Sequence, residues 1–134
     1  VACVLSAPRA GAKESIRGPV EAEIERVIDG DTLLAVAHVW PGHSVRVSVR
    51  IRGIDAPEMR SRCAAERAAA EAARLALEEL VGGMPVLISN IGGDKYYGRV
   101  VADVTVRDGR QVAGALIAAS HARLYDGGKR IGYC

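Results

Sequence analysis

The chain has very few aromatic side chains and no long apolar segment. Phe is absent, Trp40 is the single tryptophan, and four tyrosines complete the aromatic set of the 134 residues. The core must therefore be built from aliphatic side chains, and few rings remain to stack on a ligand. No apolar run reaches the roughly 20 residues of a membrane-crossing helix, so no membrane span is predicted.

Cysteine and histidine are too few, and too widely spaced, for a zinc site. The chain has three of each, and Cys63 has neither type close to it in the sequence, whereas structural zinc sites use four such ligands at short spacings. Two interpretations of the cysteines stay open. Cys63 and Cys134 either pair in an oxidising compartment, which would stabilise the fold by about 4 kcal/mol in the chain-entropy treatment, or remain two separate thiols.

The first twelve residues resemble the end of an export signal. They are mostly small and apolar, and residues 10–12 form a small-x-small pattern, which is typical of a signal-peptidase site. An exported protein, periplasmic or secreted, is predicted. Residues 1–3 equally fit the end of a lipoprotein processing box, which would give a lipid anchor, and a disordered N-terminus is a third interpretation. Residues 1–18 are therefore set apart from a single folded domain, residues 19–134.

The net charge does not identify a class of partner. It is only +2, whereas nucleic-acid-binding domains usually carry a larger and clustered positive charge. The distribution is more informative. The positions of Arg46, Arg50 and Arg52 differ by even numbers, so on a strand their side chains project from the same side. A local basic face is predicted there.

Alternation of apolar and polar residues predicts three consecutive strands. Residues 20–28 alternate apolar side chains with glutamates, which is the period of a half-buried strand. Residues 32–39 and 44–52 are also strand-like. Asp29-Gly30 predicts a hairpin turn between the first two strands, and residues 40–42 separate the second and third. The three strands are expected to form a meander.

The period of the pattern changes after Pro57. Apolar residues recur at spacings of three and four and are followed by two glycines, which predicts a helix over residues 63–81. Residues 85–91 and 98–107 favour two more strands, residues 112–120 a short helix, and residues 121–134 a loop lying on the domain. The predicted fold class is α+β: a five-stranded OB-fold β-barrel with a helix between strands 3 and 4 and a short C-terminal helix.

Two acidic patches lie at predicted strand ends. Asp31 follows the first strand, and Asp55 follows the third, where Pro57 stiffens the next turn. Each patch has an ordinary explanation, because Asp-Gly is a common hairpin connector and acids such as Glu58 are favoured at helix starts. Taken together, two carboxylates, a backbone carbonyl and water would suit Ca²⁺, which takes six to eight oxygen ligands.

Two arginines flank these acids in the sequence. Arg50 precedes Asp55 on the third predicted strand, and Arg99 begins the fifth. Each could be an ordinary solvated strand residue. As a pair beside carboxylates they could hold phosphate oxygens through their guanidinium forks and stabilise growing negative charge. With Glu58 as a candidate base, this is the equipment for attack on a phosphodiester.

These patches resemble the staphylococcal nuclease, or thermonuclease, family in their order and spacing. The resemblance rests on residues 29–32, 50–58 and 97–99 and runs from about Glu21 to Tyr125. It implies Ca²⁺ binding by Asp31, Asp55 and the main-chain carbonyl of Ala56, with Asp29 supporting Asp31 from behind. It also implies three catalytic residues: Glu58 as general base or water-orienting group, and Arg50 and Arg99 as phosphate-binding groups.

The substrate-binding residues are implied less directly. The resemblance suggests Lys95, Tyr97 and Tyr125 for contacts with the nucleotide. The loop before Arg99 has one residue more than the type member of the family, and a short tail ending in Cys134 replaces that member's long C-terminal helix. Substrate preference is therefore less well determined than the chemistry.

The implied function is a Ca²⁺-dependent phosphodiesterase that hydrolyses DNA and RNA, preferably single-stranded, with little sequence specificity. The resemblance implies 3′-phosphate products. A monomer is predicted, because nothing in the sequence demands a larger assembly. The alternative is a non-catalytic OB-fold module that binds single-stranded nucleic acid or a protein partner. Such a module is expected to lack some of the acids or arginines of the site. Here all five are present: Asp31, Arg50, Asp55, Glu58 and Arg99. A purely structural exported domain would make the three patches a coincidence.

Overall fold

The computed structural model describes residues 14–134, so the sequence features that predict an export signal lie outside the described residues. Eight strands and two helices follow within the described part. Their bounds are β1 (Ser15–Ile16), β2 (Val20–Asp29), β3 (Thr32–Trp40), β4 (His43–Ile51), β5 (Ile54–Asp55), α1 (Ala64–Val81), β6 (Val86–Gly93), β7 (Arg99–Thr105), α2 (Val112–Ala118) and β8 (Arg123–Leu124).

Five of these strands close a barrel. They are neighbours in the order β6, β2, β3, β4, β7, and β7 pairs back with β6. β4 and β7 run parallel, whereas the other barrel neighbours are antiparallel. The predicted meander is confirmed as β2, β3 and β4, and the closed barrel with two helices is consistent with the predicted OB fold. β1 extends the sheet along the outer edge of β6.

The predicted position of the first helix is not confirmed. α1 does not follow the third barrel strand directly, because the short strand β5 intervenes. Gly53, with φ at +85°, turns the chain after β4, in a conformation that glycine adopts readily. Residues of β5 then pair with β8 in the C-terminal tail. A two-residue strand has no periodicity of its own, so the sequence pattern could not predict it.

The helix α1 begins and ends close to its predicted bounds. The sulfur of Cys63 accepts a hydrogen bond from the Glu66 N–H at its start, and Gly82 ends it in the left-handed conformation. Its buried face packs on an aliphatic barrel core, as the composition predicts; the core includes Leu33, Val49, Ile51, Leu77, Val86 and Val104. Neither helix within residues 14–134 is long and apolar enough to cross a membrane.

A glycine lets the first hairpin lie directly against α1. A Cβ atom on Gly30 would fall 2.7 Å from the Cβ of Ala73 and 2.9 Å from the Cβ of Ala56, closer than carbon atoms approach without displacement. The turn between β2 and β3 is therefore pressed between α1 and the segment that follows β5. This close packing brings the acidic hairpin to the acidic end of β5.

The C-terminal tail returns across the same end of the barrel. The Tyr125 N–H donates to the Gly53 carbonyl at 2.9 Å, and Cys134 forms a disulfide with Cys63 whose Cα atoms are 6.1 Å apart, within the usual range. The first of the two interpretations of these cysteines, a disulfide between Cys63 and Cys134, is the one found in the structure. It fixes the last residue of the chain to the start of α1.

Candidate active site

Arg50 brings two buried carboxylates together. Its Nη1 lies 2.7 Å from Asp31 Oδ2, and its Nη2 lies 3.7 Å from Asp55 Oδ1. The register explains this contact, because Arg50 on β4 is the partner of Thr32 at the start of β3, directly after the acidic hairpin. The side chain of Arg50 is 17% exposed, so the pair is only partly screened by water.

Asp31 is held in one orientation by hydrogen bonds. Its Oδ2 accepts from the Ala56 N–H at 2.9 Å, and its Oδ1 accepts from the Thr32 hydroxyl at 2.9 Å. Its own N–H donates to Asp29 Oδ1 at 3.1 Å, so Asp29 stabilises the hairpin turn that carries Asp31. Burial, followed by the nearby Asp31 carboxylate, raises the pKa of Asp29 to about 7. The concentration of acidic groups here favours a bound cation.

Asp55 has an acceptor without a donor. Its Oδ2 is buried and has no hydrogen-bond partner within the described part of the chain. Burial raises the pKa of Asp55, and the Asp31 carboxylate adds to this, whereas Arg130 and Arg50 act in the opposite direction. The charged group at this oxygen is the guanidinium of Arg130, whose Nε lies 2.9 Å away without the geometry of a hydrogen bond.

The oxygen donors fit a hard cation in their chemistry. Asp31, Asp55 and the Ala56 carbonyl provide oxygen atoms, with no sulfur or imidazole ligand, which is the set that Ca²⁺ prefers. Asp55 Oδ2 has no hydrogen bond within the described residues, although Arg130 Nε lies 2.9 Å from it. No group of three His, Cys, Asp or Glu side chains within residues 14–134 could hold a metal ion. A cation at this site would therefore depend on carbonyl oxygen and water for its remaining ligands.

Arg130 of the C-terminal tail also contacts this acidic pair. Its Nε lies 2.9 Å from Asp55 Oδ2, and its Nη2 donates to the Ala56 carbonyl at 3.2 Å and to Glu66 Oε2 at 2.8 Å. The Tyr133 hydroxyl donates to the Asp55 carbonyl at 2.7 Å. Arg130 and Tyr133 were not among the predicted site residues, because nothing in the periodicity of a polar tail indicates where it docks.

Glu58 has a fixed backbone and an exposed carboxylate. Its N–H donates to Glu66 Oε2 at 2.8 Å, while its carboxylate takes part in none of the side-chain hydrogen bonds or ion pairs found within residues 14–134. Glu66 is buried and also accepts from the Ser61 hydroxyl at 3.1 Å. Glu66 was not among the predicted site residues, although Cys63-x-x-Glu66 has the spacing of a helix-capping box.

The buried Glu66 gives a prediction for acid stability. Its hydrogen bond from Arg130, followed by the one from the Glu58 N–H, lowers its pKa from 4.5 to about 2. Because this folded-state pKa lies below the unfolded value, ionised Glu66 stabilises the fold above about pH 4.5, and the contribution is lost as the pH falls towards 2. Glu66→Gln is expected to be less stable than the wild type at neutral pH.

The expected pH dependence separates this effect from a simple packing defect. The difference in free energy of unfolding between wild type and Glu66→Gln, measured by urea denaturation, should shrink as the pH falls from 4.5 towards 2. The exposed Glu79 on the same helix supplies a control, since Glu79→Gln should match the wild type throughout. A difference for Glu66→Gln that stays constant with pH would contradict the assignment.

Arg99 lines the same cleft as Arg50 and Asp55. A cleft of about 450 Å³ is lined by Arg50, Asp55, Lys95, Arg99 and Tyr125, among others. Arg99 is paired through its Nε with Asp94 and lies 4.7 Å from the ring centre of Tyr96. Two arginines and a carboxylate thus face one cleft, a combination suited to holding a phosphate beside a cation.

The predicted nucleotide contacts are only partly brought together. Lys95 and Tyr125 line the cleft, and the Tyr125 hydroxyl donates to the Gly128 carbonyl at 2.8 Å. Tyr97 does not line it, because its side chain is fully exposed on the turn between β6 and β7. The ring beside Arg99 and Lys95 is that of Tyr96. Adjacent residues of a turn point in different directions, so the tyrosine next to Gly98 in sequence is not the one whose ring contacts Arg99.

The three alternating arginines contact different acids. Arg46 is paired with Glu25 at the barrel surface, whereas Arg52 lies 3.3 Å from Asp103, and Arg50 alone contacts the acidic pair. The predicted basic face is therefore divided among several ion pairs. Arg50 and Arg52 both line the cleft, whereas Arg46 is not among its lining residues.

A comparison with protein families agrees with this geometry. The family model described as Staphylococcal nuclease homologue matches residues 48–131, which is more than half of the chain. The chain therefore belongs to the staphylococcal nuclease homologue family, as the resemblance predicts, and at the family level it is a nuclease-type hydrolase. The matched region contains Arg50, Asp55, Glu58 and Arg99, whereas Asp31 precedes it. A search of curated proteins found no match.

Proposed function

We propose that the protein is a Ca²⁺-dependent phosphodiesterase that hydrolyses DNA and RNA with little sequence specificity and leaves 3′-phosphate ends. The observation that carries this proposal is the contact of Arg50 with both Asp31 and Asp55 in a cleft that Arg99 also lines. Groups suited to a cation and groups suited to a phosphate thus share one opening.

The acidic pair would hold the cation. Asp31, Asp55 and the Ala56 carbonyl are the proposed ligands, because they are neighbouring oxygen atoms and one of them, Asp55 Oδ2, has no hydrogen bond in the described part of the chain. When bound, Ca²⁺ would supply positive charge against a non-bridging oxygen of the scissile phosphate. Asp29 would keep the hairpin in place through its bond to the Asp31 N–H.

Glu58 would activate the attacking water. Its exposed carboxylate can accept a proton from that water, while the bond from its N–H to Glu66 keeps the backbone in place. Arg50 and Arg99 would neutralise the negative charge that grows on the phosphate in the transition state. The P–O5′ bond then breaks, and the leaving oxygen takes a proton from solvent.

The expected substrate is a flexible single strand of DNA or RNA. Contacts with phosphate carry no direct sequence information, and the cleft offers Lys95 and Tyr125 rather than a recognition helix in a groove. An extended strand enters such a cleft more easily than a duplex. We propose that the enzyme acts as a monomer.

The disulfide supports export to an oxidising compartment. Disulfides such as Cys63–Cys134 persist in secreted and periplasmic proteins and are rare in the cytosol. We therefore propose a periplasmic or secreted enzyme, with a lipid anchor at Cys3 as the alternative mode of export. Fractionation of cells into medium, periplasm, membrane and cytosol, with the protein located by antibody, would distinguish an exported from an internal protein.

One observation favours a second candidate function, a non-catalytic OB-fold module. Each proposed ligand residue already has a guanidinium contact, from Arg50 to Asp31 and from Arg130 to Asp55 and the Ala56 carbonyl. A site closed permanently by arginines would bind nucleic acid or protein without cleaving it.

The test is digestion of end-labelled single-stranded DNA and RNA in Ca²⁺, in Mg²⁺ and in excess EGTA. Cleavage is expected in Ca²⁺ and not in EGTA, with products that a polymerase extends only after phosphatase treatment. Asp55→Asn should abolish cleavage, whereas Asp108→Asn, in an exposed turn, should not. Binding without cleavage in Ca²⁺ would replace the enzyme with the non-catalytic module.

A further inference from the structure

The last six residues of the chain form a strap, residues 129–134, over the acidic pair. Its Arg130 contacts Asp55 Oδ2 at 2.9 Å and the Ala56 carbonyl at 3.2 Å. These are two of the three residues that the proposed function assigns to the cation. The third, Asp31, contacts Arg50 instead.

We propose that Arg130 closes the cation site of the cation-free protein and that a divalent cation must displace its guanidinium, so that the strap sets the affinity for the cation. This inference rests on the proposed function for the identity of the ligands. It makes Arg130 an autoinhibitory residue that is carried by the chain itself.

Charge and distance make the two occupants mutually exclusive. A guanidinium is permanently charged, and Ca²⁺ lies about 2.3–2.6 Å from its oxygen ligands. With Arg130 Nε 2.9 Å from Asp55 Oδ2, an ion on that oxygen would lie within a few ångströms of a like charge in a poorly solvated place. The Ala56 carbonyl would also have to give up its hydrogen bond from Arg130 to serve as a ligand.

The contacts of Arg130 suggest that it can leave without unfolding the site. Arg130 Nε and Asp55 Oδ2 are close, yet neither has a hydrogen bond of good geometry within residues 14–134, so their contact is mainly electrostatic. The side chain is 32% exposed, compared with 17% for Arg50. Arg130 Nη2 would keep its hydrogen bond to Glu66 while the guanidinium rotates and its Nε moves away from Asp55.

The disulfide keeps Arg130 close to the cation ligands. Residues 125–134 belong to no strand or helix, so the strap is held mainly by side chains. Cys134 is bonded to Cys63, and Tyr133 bonds to the Asp55 carbonyl and stacks with Arg123 at 3.9 Å. Tethering raises the effective concentration of the guanidinium beside the acids. Opening the disulfide should therefore make the cation bind more tightly.

The test is calorimetric titration of the purified protein with Ca²⁺ in the absence of nucleic acid. If the closed state exceeds about 90% of the population, Arg130→Gln is expected to lower the Kd for Ca²⁺ by about tenfold or more. Reduction of the wild-type disulfide should shift the Kd in the same direction. Lys129→Gln removes one charge from the same strap, but Lys129 makes no ion pair within residues 14–134, so this control should leave the Kd within about twofold of wild type.

A second variant tests whether a change in Ca²⁺ binding arises from misfolding of Arg130→Gln. Arg130→Gln leaves the buried Glu66 without its positively charged partner. Arg130→Gln combined with Glu66→Gln removes both charges and is expected to show the same gain in affinity. Unchanged or weaker Ca²⁺ binding in a folded Arg130 variant would overturn the inference, and so would absence of binding in every variant. A wild type that cleaves DNA but binds Ca²⁺ as tightly as Arg130→Gln would keep the nuclease function and reject the strap. Tighter Ca²⁺ binding in Arg130→Gln, without DNA cleavage by any variant, would keep the inference about the strap and reject the nuclease function.

Discussion

Arg50→Ala is expected to lower the rate of DNA hydrolysis by about 10²- to 10³-fold, on the scale of losing one preorganised electrostatic donor. Arg50 has two roles in the proposed site. It would bind the phosphate in the transition state, and it compensates two buried carboxylates through contacts at 2.7 Å with Asp31 and 3.7 Å with Asp55. Its removal should reduce kcat in saturating Ca²⁺ and also destabilise the cation-free fold, because two acids lose a partner.

The same strand supplies a matched control for Arg50. Arg46 also lies on β4, but it is exposed and pairs with Glu25 at the barrel surface. Arg46→Ala should therefore hydrolyse DNA at close to the wild-type rate. The loss of thermal stability in Arg50→Ala should be partly recovered by Ca²⁺, which can compensate the freed carboxylates. A folded Arg50→Ala protein that cleaves DNA as fast as Arg46→Ala would reject the role of Arg50.

Replacing both Cys63 and Cys134 by Ser is expected to lower the free energy of unfolding by about 4 kcal/mol. The disulfide joins residues 71 positions apart, so it removes much of the freedom of the unfolded chain. It also fixes the strap, which has few backbone hydrogen bonds of its own. Urea denaturation of the oxidised wild type and of the double variant measures the difference.

Reductant provides the control for the cysteine variant. The wild type should lose a similar amount of stability in reductant, whereas the double Ser variant should not respond to it. If oxidised and reduced wild type unfolded at the same urea concentration, the disulfide would not contribute to stability.

Local periodicity was enough to predict the barrel and both helices, because apolar faces repeat along each long element. It failed for β5 and β8, since two-residue strands form only through each other. This pairing is why α1 does not directly follow the third barrel strand. The sequence likewise gave no sign that the tail would pair with the barrel end, because that contact joins residues far apart in the chain.

The same distinction between local and long-range information applies to the site. Asp31, Arg50 and Asp55 could be selected from the sequence because each lies at the end of a predicted strand. The structure brings them together. Arg130 could not be selected, since its contacts with Asp55 and Glu66 depend on the tail docking across the barrel. The ring beside Arg99 is that of Tyr96 rather than Tyr97, and this could not be predicted because the direction of a turn side chain depends on the local backbone.

The measurement that tests the proposed enzyme most directly is single-turnover digestion of single-stranded DNA in Ca²⁺ by wild type and Glu58→Gln. The wild type should cleave the strand, and Glu58→Gln should bind it but cleave at least about 100-fold more slowly, because the attacking water loses its base. Glu58→Gln is expected to fold like the wild type, because residue 58 is exposed and its N–H still bonds to Glu66. Equal rates for the two proteins, or binding without cleavage by the wild type, would contradict the proposal.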